Sequence, residues 1–173
     1  MASVVFFRAV NVGGHQRFLP SALAKQLTNF GVVNIGAAGT FVVQGNVSQA
    51  KLRDEILRRL PFKPELMICP ADDVLLLSNT ELFKGAPAEK DLGKFVSVLQ
   101  KSPRAPVRLP IEQPADEKWE IRIIGLTGRF VLSLRRPVRG GVYSNAVVEK
   151  HLGIPATTRS WNTITTICDI LES

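Results

Sequence analysis

The order of apolar runs and chain breaks over the first 70 residues constrains the fold more than any other feature. Short apolar runs at residues 4–9 and 66–69 are typical of buried strands. Residues 20–31 and 48–61 repeat their apolar positions at helical spacing, which predicts two helices. Between these helices, residues 32–43 predict a hairpin of two short strands. The resulting order βαββαβ is that of the split βαβ, or ferredoxin-like, plan.

The second half of the chain predicts a further α+β unit. A strand, a hairpin and two helices are predicted at residues 94–101, 119–134, 144–152 and 161–171. Residues 102–117 contain four prolines and are predicted as a loop or an extended excursion. The predicted fold class is α+β, with two ferredoxin-like subdomains packed together. The predicted domains are a first ferredoxin-like subdomain (1–70), a helix with an acidic connector (71–92) and a second α+β subdomain (93–173).

The charge of the chain is unevenly distributed along it. The 22 Lys+Arg and 15 Asp+Glu residues give a formal net charge of +7. Residues 1–70 hold 8 basic and 3 acidic residues, residues 71–117 hold 6 and 8, and residues 118–173 hold 8 and 4. Basic ends around an acidic middle favour a basic face lined from both subdomains. The predicted partner is a phosphate-bearing ligand or nucleic acid.

Several function classes are excluded by what the sequence lacks. With 45% hydrophobic residues the chain is not a disordered one, and with two cysteines, Cys69 and Cys168, it is not a disulfide scaffold. It has no zinc-ligand spacing, no Walker A loop and no G-x-S-x-G elbow, so no metal and no cofactor are predicted. No apolar run approaches the ~18 residues of a membrane span. We therefore expect a soluble, cytoplasmic protein without a membrane partner, of undetermined oligomeric state.

A glycine-containing loop follows the first predicted strand and is a candidate anion site. It contains Asn11, Gly13, Gly14 and His15, with Arg17 just beyond it. Two glycines let backbone N–H groups approach an anion, and the following helix N-terminus adds positive potential. The alternative is a tight turn that needs glycine for its backbone angles. His15 is a general acid or base by residue type, or else simply an exposed loop histidine.

Two C-terminal segments also carry polar groups suited to ligand binding. Ser144 or Asn145 is the predicted N-cap of a helix. Residues 155–163 are dense in hydroxyl, amide and guanidinium groups, and Arg159 beside Trp161 suits stacking or bidentate contacts to an anion. The segment leads into the last predicted helix, for which Ser160 or Asn162 is the candidate cap. The alternative for this segment is a capping loop with a structural tryptophan. Residues 135–141 combine three arginines with two glycines, a pattern typical of an anion site, although a solvated charged face would look the same.

These same segments resemble a known family. Residues 8–14, Arg-Ala-Val-Asn-Val-Gly-Gly, resemble the Arg-Gly-Ile-Asn-Val-Gly-Gly opening of the bacterial domain-of-unknown-function family 1697. Residues 144–163 are similar to that family's Thr-Asn-x-x-x-Glu-Lys-x-Leu-Gly-Val-Pro-Ala-Thr-Thr-Arg-Asn-Trp-Asn-Thr ending. The resemblance spans nearly the whole chain. It implies an α+β fold of two ferredoxin-like subdomains and no established activity.

The chain also departs from the family pattern at two places. The family's Gln-Ser-Gly-Asn turn corresponds by hairpin position to residues 37–40, Ala-Ala-Gly-Thr, although residues 44–46 are closer by letters. The family's Ser-Lys-Leu, which precedes its Thr-Asn, is replaced by Gly141-Val-Tyr143. A lost lysine and a lost polar turn suggest a divergent branch with a binding role.

The function predicted from the sequence is the binding of a phosphate-bearing ligand or nucleic acid at a basic face between the subdomains. The alternatives are a small enzyme acting on an anionic metabolite, or a structural protein without a ligand. The catalytic residues are not predicted. The predicted ligand-binding residues are Arg8, Asn11, Gly13, Gly14, His15, Arg17, Ser144, Asn145, Thr158, Arg159, Trp161 and Asn162.

Overall fold

The computed structural model describes residues 1–10, 17–79, 81 and 83–173. The chain divides into two compact units. Unit 1 comprises Met1–Asn79 and Thr165–Ser173, and unit 2 comprises Thr80–Ile164. Each contains one antiparallel sheet, so the fold is a mixed α+β arrangement with two sheets. None of the helices in the described ranges is long and apolar enough to cross a bilayer.

Unit 1 has the predicted βαββαβ order, followed by one further helix. Its strands are β1 (Ser3–Arg8), β2 (Val32–Ile35), β3 (Thr40–Val43) and β4 (Glu65–Pro70). Its helices are α1 (Pro20–Gln26), α2 (Gln49–Leu57) and α3 (Ala71–Leu75). The strand order in the sheet is β2-β3-β1-β4, and all neighbours are antiparallel. The α-helix predicted to reach Phe30 ends at Gln26, and a short 3-10 helix, Thr28–Phe30, completes the segment.

The core of unit 1 lies between the helices and one face of this sheet. Alternate residues of the central strand, Val5 and Phe7, pack with Leu23 of α1 and Leu52 of α2. The Phe7 and Phe41 rings lie with their centroids 5.3 Å apart. Ser48 begins α2 by accepting a hydrogen bond from the backbone N–H of Lys51 at 3.2 Å, as an N-cap does.

Unit 2 is built on five strands and a helix that covers one of their faces. The strands are β5 (Gly93–Leu99), β6 (Ile111–Gln113), β7 (Ile121–Thr127), β8 (Phe130–Arg135) and β9 (Ala156–Ser160). The helices are α4 (Ser144–Leu152) and α5 (Trp161–Glu172), the second of which continues into unit 1. The strand order is β6-β7-β8-β5-β9, again entirely antiparallel.

Two strands of unit 2 lie in segments where the sequence predicted no strand. β6 lies in the proline-containing segment and pairs with β7 through three residues. β9 lies within residues 155–163, for which a capping loop was the alternative interpretation, and pairs with β5 through five residues. The sequence predicted neither strand, because pairing with another strand overrides weak local propensity.

The core of unit 2 lies between α4 and the sheet. Val147 and Val148 of α4 pack against Leu99, Ile121 and Val131 of three adjacent strands. The N-terminal and C-terminal ends of α4 are therefore held at fixed places over this sheet face.

Candidate functional site

Polar side chains from two strands and one helix meet on the sheet face that α4 covers. Ser97 of β5 and Thr158 of β9 are direct partners across the two strands, so their side chains lie on the same face. Asn145 lies in the first turn of α4. Strand pairing and helix packing thus bring together Asn145 and Thr158, two residues that the sequence predicted for the site.

Hydrogen bonds join these side chains in series. The Thr158 hydroxyl donates to Oδ1 of Asn145 at 2.8 Å. Since a hydroxyl has one proton, the second bond of Thr158, at 2.7 Å, is donated by the Ser97 hydroxyl. Nδ2 of Asn145 in turn donates to Oε1 of Glu149, one helical turn away, at 2.8 Å. This series fixes the first turn of α4 to the sheet, and we call it the Ser97–Glu149 chain.

Two other serine hydroxyls on this side of unit 2 keep unused hydrogen-bonding capacity. Ser133 of β8 is paired with Phe95, two residues before Ser97, and so shares the face. Ser144 is the first residue of α4. Their side chains are buried, with residue exposures of 0% and 4%, and neither Oγ has a hydrogen-bond partner in the part of the chain that the structure describes.

The N-terminus of α4 has no side-chain cap. Tyr143 occupies the N-cap position with extended backbone angles, and its side chain makes no capping bond. The prediction that Ser144 or Asn145 is the N-cap is wrong because Ser144 is already helical, and the Asn145 side chain bonds Thr158 and Glu149 instead. The amides of the first turn therefore receive no acceptor from the N-cap side chain, and the positive end of the helix dipole lies at this turn.

Arg135 lies next to that N-terminus. Its Nε donates to the carbonyl oxygen of Val142 at 3.2 Å, and its Cζ lies 5.0 Å from the centroid of the Tyr143 ring. Tyr143 is 72% exposed, so this pair lies at the surface of unit 2. A guanidinium and an uncapped helix N-terminus are thereby adjacent, and both attract anions.

Arg136, by contrast, is committed to contacts within unit 2. Its guanidinium donates to both carboxylate oxygens of Glu89, at 2.9 and 2.8 Å. It also donates to the carbonyl oxygens of Glu117 and Trp119, and lies 3.8 Å from the Trp119 ring centroid. The hydrogen bond from Arg136 lowers the pKa of Glu89 below its ordinary value. Of this adjacent pair, Arg135 is the one placed beside α4.

Arg159 lies on the other face of the sheet from Thr158, since successive side chains of a strand alternate. It is 7% exposed, and its Nη1 donates to Thr157 Oγ1 at 2.6 Å and to the Thr158 carbonyl oxygen at 3.0 Å. Burial lowers its pKa to about 10, because removal from water disfavours the charged form. The structure therefore separates Arg159 from the Ser97–Glu149 chain, although it is adjacent to Thr158 in sequence.

Trp161 and Asn162 lie at the start of α5. The Trp161 ring packs edge-on against Phe83, with centroids 5.0 Å apart. Asn162 is exposed. The Ser160 hydroxyl accepts a hydrogen bond from the Thr163 backbone N–H at 3.3 Å, so Ser160 is the one of the two candidate caps that caps this helix.

The remaining predicted residues belong to unit 1. Arg8 donates to Oε1 of Glu65 at 3.0 Å across neighbouring strands, and Arg17 is exposed. Asn11, Gly13, Gly14 and His15 lie outside the residues that the structure describes. Their predicted role in anion binding stays a prediction.

Sequence reasoning missed Ser97, Ser133 and Tyr143. The signal for the two serines was present, because each interrupts an apolar strand, in Phe-Val-Ser-Val-Leu and in Phe-Val-Leu-Ser-Leu. A polar residue at a buried strand position needs a partner or marks a site. Nothing local distinguishes Tyr143 from an ordinary loop residue. Across the described ranges, no three His, Cys, Asp or Glu side chains are grouped as a metal ion would require.

Comparison with known proteins shows the fold of the chain. No protein-family model matches it, and no curated protein sequence matches it. Its structure is similar to that of the conserved bacterial protein SP0830 from Streptococcus pneumoniae, with a TM-score of 0.57 and 18% sequence identity. The match covers 99% of this chain and 98% of that one. The chain therefore shares, over nearly its whole length, the fold of a conserved bacterial protein.

Proposed function

We propose that the protein binds a phosphate-bearing ligand at the N-terminus of α4. The observation that carries the proposal is the Ser144 hydroxyl, which is buried at this uncapped N-terminus without a partner among the described residues. Leaving a buried hydroxyl unpaired costs about 1–3 kcal/mol. A phosphate oxygen bound at this N-terminus would provide the missing acceptor.

The surroundings of Ser144 favour an anion over a neutral ligand. The free amides at the start of a nine-residue helix and the guanidinium of Arg135 both supply positive potential. The Ser97–Glu149 chain holds the first turn in place, so little ordering is needed when a ligand binds. The role proposed for Asn145 and Thr158 is to position this turn.

The ligand class within this proposal is either a small phosphate compound or the backbone of a nucleic acid. The formal charge of +7 suits both. Tyr143 is an exposed aromatic ring on which a base could stack, and it is the specific observation that keeps nucleic acid as the second candidate.

We also propose a fold plan for the two units and a cellular location. Unit 1 is proposed to be ferredoxin-like, supported by its βαββαβ order and the strand order β2-β3-β1-β4. Unit 2 departs from that plan. The plan has a helix after its first strand, whereas in the described residues of unit 2 the segment between β5 and β6 contains no helix. A cytoplasmic location is supported by two free cysteines. Membership of family 1697 stays a hypothesis and adds no substrate.

The test is a titration of the isotope-labelled full chain with inorganic phosphate at constant ionic strength, followed by amide NMR shifts. We expect the amides of Ser144, Asn145 and Ala146 to shift in a saturable way. Arg135→Gln should weaken this binding roughly tenfold, because a charge-assisted contact is lost. Lys118→Gln removes the same charge from an exposed lysine of unit 2 and should leave the binding unchanged.

A second titration with single-stranded DNA separates the two ligand classes. Tight binding that weakens steeply with salt, together with shifts at Tyr143, would assign the site to nucleic acid. If neither phosphate nor DNA shifts the α4 amides, the proposal fails and a structural role for these residues is favoured.

A further inference from the structure

A cavity lies at the C-terminal end of α4. Its volume is about 510 Å³, and its walls are the segment 101–108 and the turn from His151 to Ile154. This volume falls within the roughly 300–1,000 Å³ of small-molecule sites. A helix rises about 1.5 Å per residue, so the nine residues of α4 separate this cavity from Ser144 by roughly 12 Å. The two sites are therefore distinct.

The cavity concentrates positive charge without compensation. Lys101, Arg104, Arg108 and His151 line it, and no carboxylate does. In the described part of the chain, none of the three Lys and Arg side chains forms an ion pair. The sequence agrees, because it has no acidic residue between Asp91 and Glu112. The segment 71–117 is acidic on average, yet its middle contributes three cations to one concave surface.

The rest of the lining is aliphatic. Val107, Ile111, Leu152 and Ile154 contribute side chains, and prolines of the 101–108 segment complete the wall. The lining includes no Phe, Tyr or Trp, so His151 provides its one aromatic ring and the large stacking surfaces typical of nucleobase sites are absent from it. Burying an alkyl chain against such a surface is favourable, because apolar area is removed from water.

We propose that this cavity binds an aliphatic oxyanion, that is, a carboxylate or phosphate monoester with an alkyl body. The guanidinium groups of Arg104 and Arg108 contact the oxyanion, for which their planar donor pairs are suited. Val107 and Leu152 contact the alkyl body. His151 lies at the rim with Nε2 3.1 Å from Oε1 of Gln113, which orients its ring. The inference does not depend on the site at Ser144.

The experiment is isothermal titration calorimetry of the full chain at low salt with octanoate, octyl phosphate, octanol and inorganic phosphate. We expect saturable binding of octanoate, octyl phosphate or both, and the stronger of the two identifies the head group. Octanol and inorganic phosphate should bind at least tenfold more weakly, since octanol lacks the oxyanion and inorganic phosphate lacks the alkyl chain. Shortening octanoate to hexanoate should weaken binding by roughly threefold to fourfold for each methylene that is buried.

Variants locate the binding and provide a matched control. Arg104→Gln/Arg108→Gln should reduce octanoate affinity at least tenfold, because both guanidinium contacts are lost. Lys90→Gln/Lys118→Gln removes the same charge from two exposed lysines of unit 2 outside the cavity and should change affinity less than twofold. All four positions are exposed, so circular dichroism and the melting temperature should match those of the parent chain.

The results distinguish an oxyanion site from a diffuse charge effect, an apolar surface and a nucleic-acid site. Equal losses in the two double variants would show a diffuse charge effect and overturn it. Equal affinity for octanol and octanoate would reveal a merely apolar surface, and would overturn it as well. Tighter binding of oligothymidylate than of octanoate, lost in Arg104→Gln/Arg108→Gln, would assign the cavity to nucleic acid instead. Arg135→Gln should leave octanoate binding intact, so failure at one site is distinguishable from failure at the other.

Discussion

The Thr158 hydroxyl donates a 2.8 Å hydrogen bond to Oδ1 of Asn145 and so ties strand β9 to the first turn of α4. Both residues are candidates from the sequence, where they are 13 positions apart. In the structure each side chain is a hydrogen-bond partner of the other. Their contribution to ligand binding is therefore indirect, through the position of the helix N-terminus that they hold.

Replacing Thr158 by valine should destabilise the protein. The isosteric change removes one donor and one acceptor, and leaves the Ser97 hydroxyl and Asn145 Oδ1 without their partner. We expect a loss of about 1–3 kcal/mol in the free energy of unfolding, measured by urea denaturation. Thr127→Val, at an exposed strand end, is the control and should change stability by less than about 0.5 kcal/mol. Equal effects of the two variants would contradict the role of the Ser97–Glu149 chain.

Ser97 and Ser133 form a matched pair for the same question. Both are fully buried on adjacent strands and one face, but only Ser97 has a hydrogen-bond partner among the described side chains. Ser97→Ala should lower the free energy of unfolding by about 1–3 kcal/mol, because it removes the donor that bonds the Thr158 hydroxyl oxygen. Ser133→Ala removes an unpaired hydroxyl and should leave stability unchanged or raise it, as read from thermal and urea unfolding. A cost above about 1 kcal/mol for Ser133→Ala would reveal a hidden partner such as a bound water.

Gly39 is required at the turn between β2 and β3 for two separate reasons. Its φ is +82°, and a Cβ there would lie 2.6 Å from Cβ of Phe7 in the core. Gly128, in the hairpin between β7 and β8, has φ +59°, but a Cβ added there would meet no atom within 4 Å. Alanine at Gly128 should therefore cost about 1 kcal/mol from backbone strain alone. Alanine at Gly39 should cost at least about 2 kcal/mol more, because the core must move. Equal melting temperatures would contradict this difference.

The pKa of Glu89 should depend on Arg136. The hydrogen bond from Arg136 lowers this pKa, with a further lowering from the charges of Arg136 and Arg122. A lowered folded-state pKa means that the stabilisation is present above the unfolded pKa and is lost as the pH falls through the folded one. Arg136→Gln should therefore raise the pKa of Glu89, as followed by carboxyl carbon NMR between acid and neutral pH. Lys118→Gln should leave it unchanged, and an unchanged value in Arg136→Gln would refute the assignment.

The elements that the sequence predicted well are those with strong local signals. β2, β3 and β4, the β7–β8 hairpin and α4 all have apolar residues in a strand or helix pattern with Gly or Pro nearby, and β1 is a compact apolar run. In α4 the predicted bounds, 144–152, are those observed. Ser160 as the cap of α5 follows from the same kind of local chemistry.

The sequence by itself therefore determined the strand and helix order of unit 1, the hairpin and helices of unit 2, and the polar segments worth testing. Tertiary structure decided that residues 156–160 form a strand, because their backbone partners lie far back along the chain, in β5. That pairing sends Thr158 to the face covered by α4 and Arg159 to the opposite one. It also decided that Arg136 is bound to Glu89 and that Lys101, Arg104 and Arg108 converge on one cavity. Local sequence encodes the period and ends of an element, whereas the partners of a side chain depend on which distant strands pair.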